Sequence, residues 1–323
     1  PANDLLLECH HIIKDILQNE NIDIIYFEHL ISMIIVTPLA QRLAANALRI
    51  LDAHNVDSVL LEQQLKSIYE DDFEKFIKHK EQLMSAKWYE THLSEFVHAY
   101  FTCSQNDKNQ FEQMNTNGIQ GFVIPNGVDV QRNNYDDRED KFDFHEIIFC
   151  GSLEHTPNQD GIFWFFSKIF SHILKECPDT HLLIIGKGGH NDKIDLLRTS
   201  KRVKVINDVD SVVKYYHRSS IAIVPLRIGS GTRLKILEAM SLGNPVVSTS
   251  IGAEGIDCKN DENILIADNN IDFAEQVITL IKDKQKFDSI RKSARKFVEE
   301  KYDWHIIGEK MNHIIDELAV ANQ

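Results

Sequence analysis

The chain has 323 residues, 43% of them hydrophobic and 26% charged, with 35 basic against 49 acidic side chains and a net charge of −14. That is a soluble, globular composition with length for two ordinary domains. The acidic balance excludes general nucleic-acid binding, which needs a basic face, and no apolar run is as long as a membrane span.

The opening residues lack a basic start followed by an apolar core, so no signal peptide is predicted there. The five cysteines (Cys9, Cys103, Cys150, Cys177 and Cys258) have no paired spacing, which predicts reduced thiols in a cytoplasm and no zinc site. None of the 15 histidines falls in a ligand motif.

In chain order, Asp4 to Gln18 reads as an amphipathic helix and Ile22 to Phe27 as a strand. Leu48 to Leu51 reads as the next strand, ending in the turn-forming Asp52, Ala53, His54, Asn55. Leu60 to His92 is charge-dense and predicts one or two partly exposed helices. Its lysines and aromatics suggest a membrane surface, but its acidic residues oppose this, and a solvated face fits better. Phe96 to Cys103 predicts a strand, and Ser104 an N-cap for a helix through Met114. Asn133 to Asp143 is polar, with the composition of a domain boundary. Glu146 to Cys150 is a buried strand running into the glycine turn at Gly151 and Ser152. One helix is predicted over Gln159 to Cys177, then a strand over His181 to Ile185. A short helix over Val212 to His217 leads to the apolar strand Ile221 to Leu226. A strand over Ile264 to Ala267, helices over Asp272 to Lys282 and Lys284 to Lys301, and a last helix to about Ala321 complete the chain.

The most informative stretch is Pro225 to Thr249, which reads as strand, glycine turn, helix, turn, strand. Gly229, Ser230, Gly231 and Thr232 form a loop whose backbone can approach a ligand closely. A helix is expected to start near Thr232, with Arg233 and Lys235 in its first turn, the wrong sign for the positive end of a helix dipole. Free backbone amides, a positive dipole end and two cations make a phosphate site. Glu238 lies one turn further in and leans back toward the helix start, where it can accept from ligand hydroxyls. A diphosphate carrying a ribose meets both demands. The plainer alternative is an ordinary βαβ unit with exposed basic residues.

The segment S-G-T-R-L-K-I-L-E-A-M followed by G-N-P-V-V resembles the donor-binding segment of glycosyltransferase family 4, whose members have the GT-B fold. The family usually has two glutamates eight positions apart; here the first position is Ser230 and the second Glu238, a subgroup pattern. The I-P-N-G-V-D sequence at Ile124 to Asp129 resembles the family's entry into its interdomain linker. The resemblance implies two doubly wound Rossmann-like α/β domains facing a cleft. An acceptor-side domain would span about 1–132, with a helix at 303–323 crossing back to it, and a nucleotide-sugar domain 143–302. The first strands of a family member's N-terminal domain would be missing.

The implied reaction is transfer of a sugar from a nucleotide diphosphate sugar to an acceptor hydroxyl, with retention and without a metal or other cofactor. The resemblance assigns donor binding to Gly151, Ser152, Asn207, Val209, Gly229, Ser230, Gly231, Thr232, Arg233, Lys235 and Glu238. It implies that the amides of Gly151, Ser152 and Leu153 face the leaving phosphate, and that backbone near Asn207 meets the base. The arginine and lysine that many members carry just after Gly151 are absent, so Arg233 and Lys235 would supply the charge. His29, with Glu28 beside it, resembles the residue that ends a strand at the sugar, and His29, Arg233, Lys235 and Glu238 are the implied catalytic set. His54, Asn55 and Glu254 are implied sugar or acceptor contacts. The implied acceptor is a glycan or lipid-linked glycan and the implied place cytoplasmic, with peripheral membrane contact. A GT-B nucleotide-sugar epimerase, a phosphorylase and a non-catalytic nucleotide-binding fragment remain open alternatives.

Overall fold

The structure, a computed structural model, describes residues 2–67, 73–114, 118–189, 192–229 and 231–322. It divides into two compact units, the first formed by Pro1–Pro125 with Lys310–Gln323 and the second by Asn126–Glu309.

In the first unit, β1 (Ile24–Glu28), β2 (Leu48–Ala53), β3 (Ala99–Thr102) and β4 (Gln120–Val123) form a parallel sheet in that order. Around it lie α1 (Ala2–Asn19), α2 (His29–Leu43), α3 (Asp57–Ser67), α4 (Phe73–Thr91) and α5 (Gln105–Met114). Sequential parallel strands each need a crossover, and the helices supply them. The strand expected over Phe96 to Cys103 is shorter, because the amides of Phe96 and Val97 close the 3₁₀ turn Leu93–Glu95, donating to the Leu93 carbonyl at 2.9 and 3.0 Å. The Ser104 cap forms: its Oγ accepts from the Asp107 amide at 3.1 Å and pairs with the Asp107 carboxylate at 2.6 Å.

Among the described residues the second unit holds a six-stranded parallel sheet. Its strands are β5 (Glu146–Cys150), β6 (His181–Gly186), β7 (Val203–Asn207), β8 (Ile221–Val224), β9 (Val246–Ser248) and β10 (Leu265–Ile266), in the order β10-β9-β8-β5-β6-β7. The strands are mainly apolar, with polar residues such as Glu146, His181 and Asn207 at their ends and Lys204 within β7, and successive residues point to opposite faces. Ile147, Phe149, Leu182, Ile184 and Ile223 enter one core; Ile148, Cys150, Leu183, Ile185 and Val224 enter the other. Both faces are covered, as a parallel sheet requires. The covering helices are α6 (Thr156–Trp164), α7 (Phe170–Glu176), α8 (Asp192–Arg198), α9 (Val213–Arg218), α10 (Leu234–Ser241), α11 (Asn270–Lys282) and α12 (Lys284–Lys301). Helix α13 (Trp304–Ala321) gives its first residues to the second unit and those from Lys310 to the first.

The single helix expected over Gln159 to Cys177 is interrupted by a π-helical turn at Phe165–Ile169, which turns Phe165, Ile169, Phe170 and Ile173 into one core. The polar segment 133–143, expected as a boundary, is held inside the second unit. Asp136 accepts from Arg138 Nε and Nη2 at 2.8 Å each and from the fully buried Lys141 at 3.2 Å, and Arg291 Nη2 donates to its carbonyl at 2.9 Å. Here charge density marks an internal ion network. Among the described residues no helix is long and apolar enough to cross a membrane.

Candidate active site

The strand order of the second unit reverses between β5 and β8: from β5 the chain runs outward through β6 and β7, then returns to β8 and runs the other way. Loops leaving the carboxyl ends of β5 and β8 therefore part company, and ligands bind in the crevice this leaves. The glycine turn at Gly151 follows β5, and the 229–238 segment follows β8. A cavity of about 500 Å³ opens there, lined by Cys150, Gly151, Gly186, Lys187, Asp208, Val209, Lys235 and Glu238 among others. The turn that begins at Gly186, where β6 ends, thus lends Gly186 and Lys187 to the wall. Cys150 and Asp208 were not singled out at all; they follow from the sheet order, which spacing does not reveal.

The loop after β8 needs its glycines, since Gly229 and Gly231 have φ of 122° and 81°, the region closed to most side chains. Ser230 lies outside the described residues. Helix α10 begins at Leu234, two residues later than expected, and Arg233 is its N-cap with φ −91° and ψ 84°. Arg233 is therefore a capping-position cation whose Nη1 donates to the Gly231 carbonyl at 2.5 Å. Burial lowers its pKa, and the nearby Glu254 acts in the opposite sense. Thr232 Oγ1 is enclosed with no hydrogen-bond partner among the described residues.

Lys235, in the first turn of α10, points its ammonium at Asn158 Oδ1, 2.7 Å away, and over the Phe149 ring at 4.6 Å. Burial pulls its pKa down to about 8; Cys150 and Glu238 oppose the fall and Arg233 adds to it. Burial likewise raises the Glu238 carboxyl, and Lys235 counters that. Burial pushes the Cys150 thiol up to about 12, which leaves it a neutral wall. His155, at the N-cap of α6, is held below its usual range by burial and by Lys235 and Arg233. The cavity end beside α10 is thus cation-rich and partly dry, where an anion's charge is stabilised more than in water.

Gly151 is needed for a different reason. A Cβ there would lie 2.5 Å from Lys235 Nζ and 2.9 Å from Asn158 Nδ2. The expectation that the amides of Gly151 and Leu153 face a phosphate is corrected: they donate to the carbonyls of Ile185 at 2.9 Å and Lys187 at 2.8 Å. Ser152 is exposed, and its carbonyl accepts from Asn158 Nδ2 at 2.9 Å. Val209 lines the cavity. The Asn207 side chain turns elsewhere, to the Gly188 carbonyl at 2.6 Å and Arg198 at 3.2 Å. Glu254 is half-buried on the loop after β9.

In the first unit, Glu28 caps α2 and His29 begins it with φ 65°, a left-handed conformation uncommon for histidine. The His29 and His54 rings pack with centroids 4.3 Å apart. His54 Nε2 lies 3.9 Å from Asp52, whose carboxylate accepts from Tyr26 Oη at 2.6 Å. Burial and this bond hold the Tyr26 phenol well above its usual range. Glu28 and His29 are exposed and Asn55 is half-buried, so four of these groups gather at the carboxyl ends of β1 and β2. Tyr26 and Asp52 were missed; the parallel register that sets Glu28 beside Asp52 is not visible in local sequence.

With this geometry in place, residues 145–283 match the family model described as Glycosyl transferases group 1. An uncharacterized 44.6 kDa protein in the cps region of Klebsiella pneumoniae is 31% identical over 192 residues, 57% of this chain and 49% of that protein. The GDP-mannose-dependent monoacylated alpha-(1-6)-phosphatidylinositol monomannoside mannosyltransferase of Corynebacterium glutamicum is 25% identical over 213 residues, 59% of this chain and 55% of that one. The chain thus spans about half the length of these curated relatives. Among solved structures, Anabaena HepE in complex with UDP and glucose superposes with a TM-score of 0.69 at 16% identity, covering 97% of this chain and 82% of that one. The chain has the GT-B fold, and within it residues 145–283 are similar to the glycosyl transferases group 1 model.

Proposed function

We propose that this chain is a retaining glycosyltransferase that binds a nucleotide diphosphate sugar in the second unit and transfers the sugar to an acceptor hydroxyl. The observation that carries this reading is that Lys235 and Glu238 line one cavity at the reversal of strand order, with Arg233 at the N-cap of the same helix. The group 1 domain match supports it, as do relatives and neighbours whose names include GDP-mannose and UDP. Val209 and Asp208 flank the base end, Glu238 accepts from ribose hydroxyls, and Lys235 with Arg233 neutralises the diphosphate.

As the glycosidic bond breaks, negative charge grows on the leaving diphosphate. Cations fixed beforehand stabilise that charge without reorganising, which is where the catalysis would come from. In this reading the protein's own cations do the work and no divalent metal is required, so turnover should persist in excess EDTA. His29 contacts the sugar, with Glu28, His54 and Asn55 on the acceptor side, as the family resemblance implies. Glu254 sits on the loop that lines the sugar. The acceptor is a glycan or lipid-linked glycan, and the enzyme works in the cytoplasm.

Release of nucleoside diphosphate from a panel of UDP- and GDP-sugars, with and without acceptor glycans, is the test. Arg233→Ala and Lys235→Ala should each lower turnover by about 100-fold, the loss of one transition-state charge contact. NMR of the product should show the donor's anomeric configuration. Tight donor binding with neither hydrolysis nor transfer would instead make the chain a nucleotide-binding module.

A further inference from the structure

Lys235 lies where two crowded elements meet, and one uncharged residue holds it there. Asn158, on the first turn of α6, is only 7% exposed, so its amide must be satisfied within the protein. Its Nδ2 donates to the Ser152 carbonyl at 2.9 Å, and its Oδ1 receives the Lys235 ammonium at 2.7 Å. These two bonds fix the amide's orientation, because the reversed amide would aim N–H groups at an ammonium and an oxygen at a carbonyl. Gly151 completes the arrangement, since any Cβ there would strike both Lys235 Nζ and Asn158 Nδ2. Phe149 closes the side of the ammonium toward the sheet, and Lys235 lines the cavity.

We infer that Asn158 is a positioning residue for Lys235: its side-chain carbonyl, anchored through the Ser152 backbone, aims the ammonium into the cavity where the diphosphate is to bind. This rests on the diphosphate reading above. A flexible lysine would otherwise lose rotamer freedom on meeting its anion. A neutral acceptor holds the cation without cancelling its charge, as a carboxylate in the same place would. The groups facing the ammonium are Cys150 from β5, Arg233 and Glu238 from α10, and Asn158 and His155 from α6 and its cap.

The experiment is calorimetric titration of wild type, Asn158→Ala and Asn158→Asp with UDP and GDP between pH 6 and 10, with uridine and guanosine as phosphate-free controls. In wild type, diphosphate affinity should decline above pH 8 as Lys235, with its pKa about 8, loses its proton. Asn158→Ala should weaken diphosphate binding by about tenfold or more, the worth of one hydrogen bond to a charged group. It should also move the decline to lower pH, because the ammonium has lost its acceptor. Asn158→Asp, of the same size, should weaken binding as well but move the decline to higher pH, because a carboxylate favours the charged lysine. Nucleoside binding should stay within twofold in both.

A purely structural role for Asn158 would lower the melting temperature and leave the pH midpoint in place. Unchanged midpoints in the two variants, or equal losses for nucleosides and diphosphates, would overturn the assignment while leaving the diphosphate site standing. Failure of wild type to bind either diphosphate would sink the diphosphate reading and this proposal with it. If Asn158→Ala does not fold, the isosteric Asn158→Asp decides alone through the direction of its midpoint.

Discussion

Lys235 shows how one residue's chemistry and its cost are separable. Its pKa falls to about 8 because burial disfavours the ammonium, against an ordinary lysine value of about 10.4 when unfolded. Between those values the unfolded chain binds more protons than the folded one, so stability should rise as pH climbs from about 8 toward 10. Lys235→Met removes a partly buried charge and keeps most of the side-chain volume. It should raise stability by about 1 kcal/mol at pH 7 and remove the pH-dependent gain, while nucleoside diphosphate binding is lost. Urea melts at pH 7 and pH 9.5 measure the first two effects. Gly151→Ala should do the reverse kind of damage: the new Cβ displaces Lys235 and Asn158, costing about 1–3 kcal/mol of packing along with the diphosphate affinity. The candidate site's glycines, cations and acid could be named from the sequence, because those types at helical spacing have few other uses together. Their partners were not. Asn158 looks like a turn residue until β5 and α10 are brought side by side, and Cys150 looks like core until the cavity beside it is seen.

At the scale of elements, apolar runs placed the strands other than β4 and β7 to within a few residues, and amphipathic periodicity found the helices other than α2 and α8. Further errors lie where the backbone leaves the ideal. The π turn at Phe165–Ile169 inserts into an otherwise continuous helical pattern. Helix α10 starts late because Arg233 takes up a cap conformation after two left-handed glycines. The segment 133–143 looked like a linker by charge alone, whereas its charges pair internally. In that network burial would raise the Asp136 carboxyl, but the Arg138 hydrogen bonds and Lys141 hold it well below the usual range. Burial brings the pKa of Lys141 down to about 8, with Asp136 resisting. Asp136→Ala strands a fully buried lysine and should cost about 3–5 kcal/mol, whereas Lys141→Met leaves Asp136 paired with Arg138 and should be near neutral. A depressed carboxyl contributes stability that is present above about pH 4 and is lost as pH falls below it. Acid titration of stability should therefore be shallower in Asp136→Asn than in wild type, with urea midpoints as the readout.

For the whole molecule, the GT-B fold was legible because a long motif named it, and the second unit's doubly covered parallel sheet follows from mainly apolar strands whose successive residues enter opposite cores. What the motif could not supply is the strand order, and the order places the cavity. The reversal between β5 and β8 sets the Gly151 turn beside the 229–238 segment, about 80 residues away along the chain. The acceptor-side assignments stand on a separate cluster around His29 and His54 in the first unit. His29→Ala should reduce turnover yet leave nucleoside diphosphate affinity within about twofold, since surface substitutions away from a site change little. Steady-state kinetics beside binding data separates the two. The central claim, that the second unit carries a cradle for a diphosphate, is tested most directly by calorimetric titration of the whole chain and of Lys235→Ala with UDP and GDP at pH 7. Saturable one-to-one binding by the whole chain, weakened about 100-fold or more in the variant, is the predicted result. Equal affinity in the two proteins, or no binding by either, contradicts it.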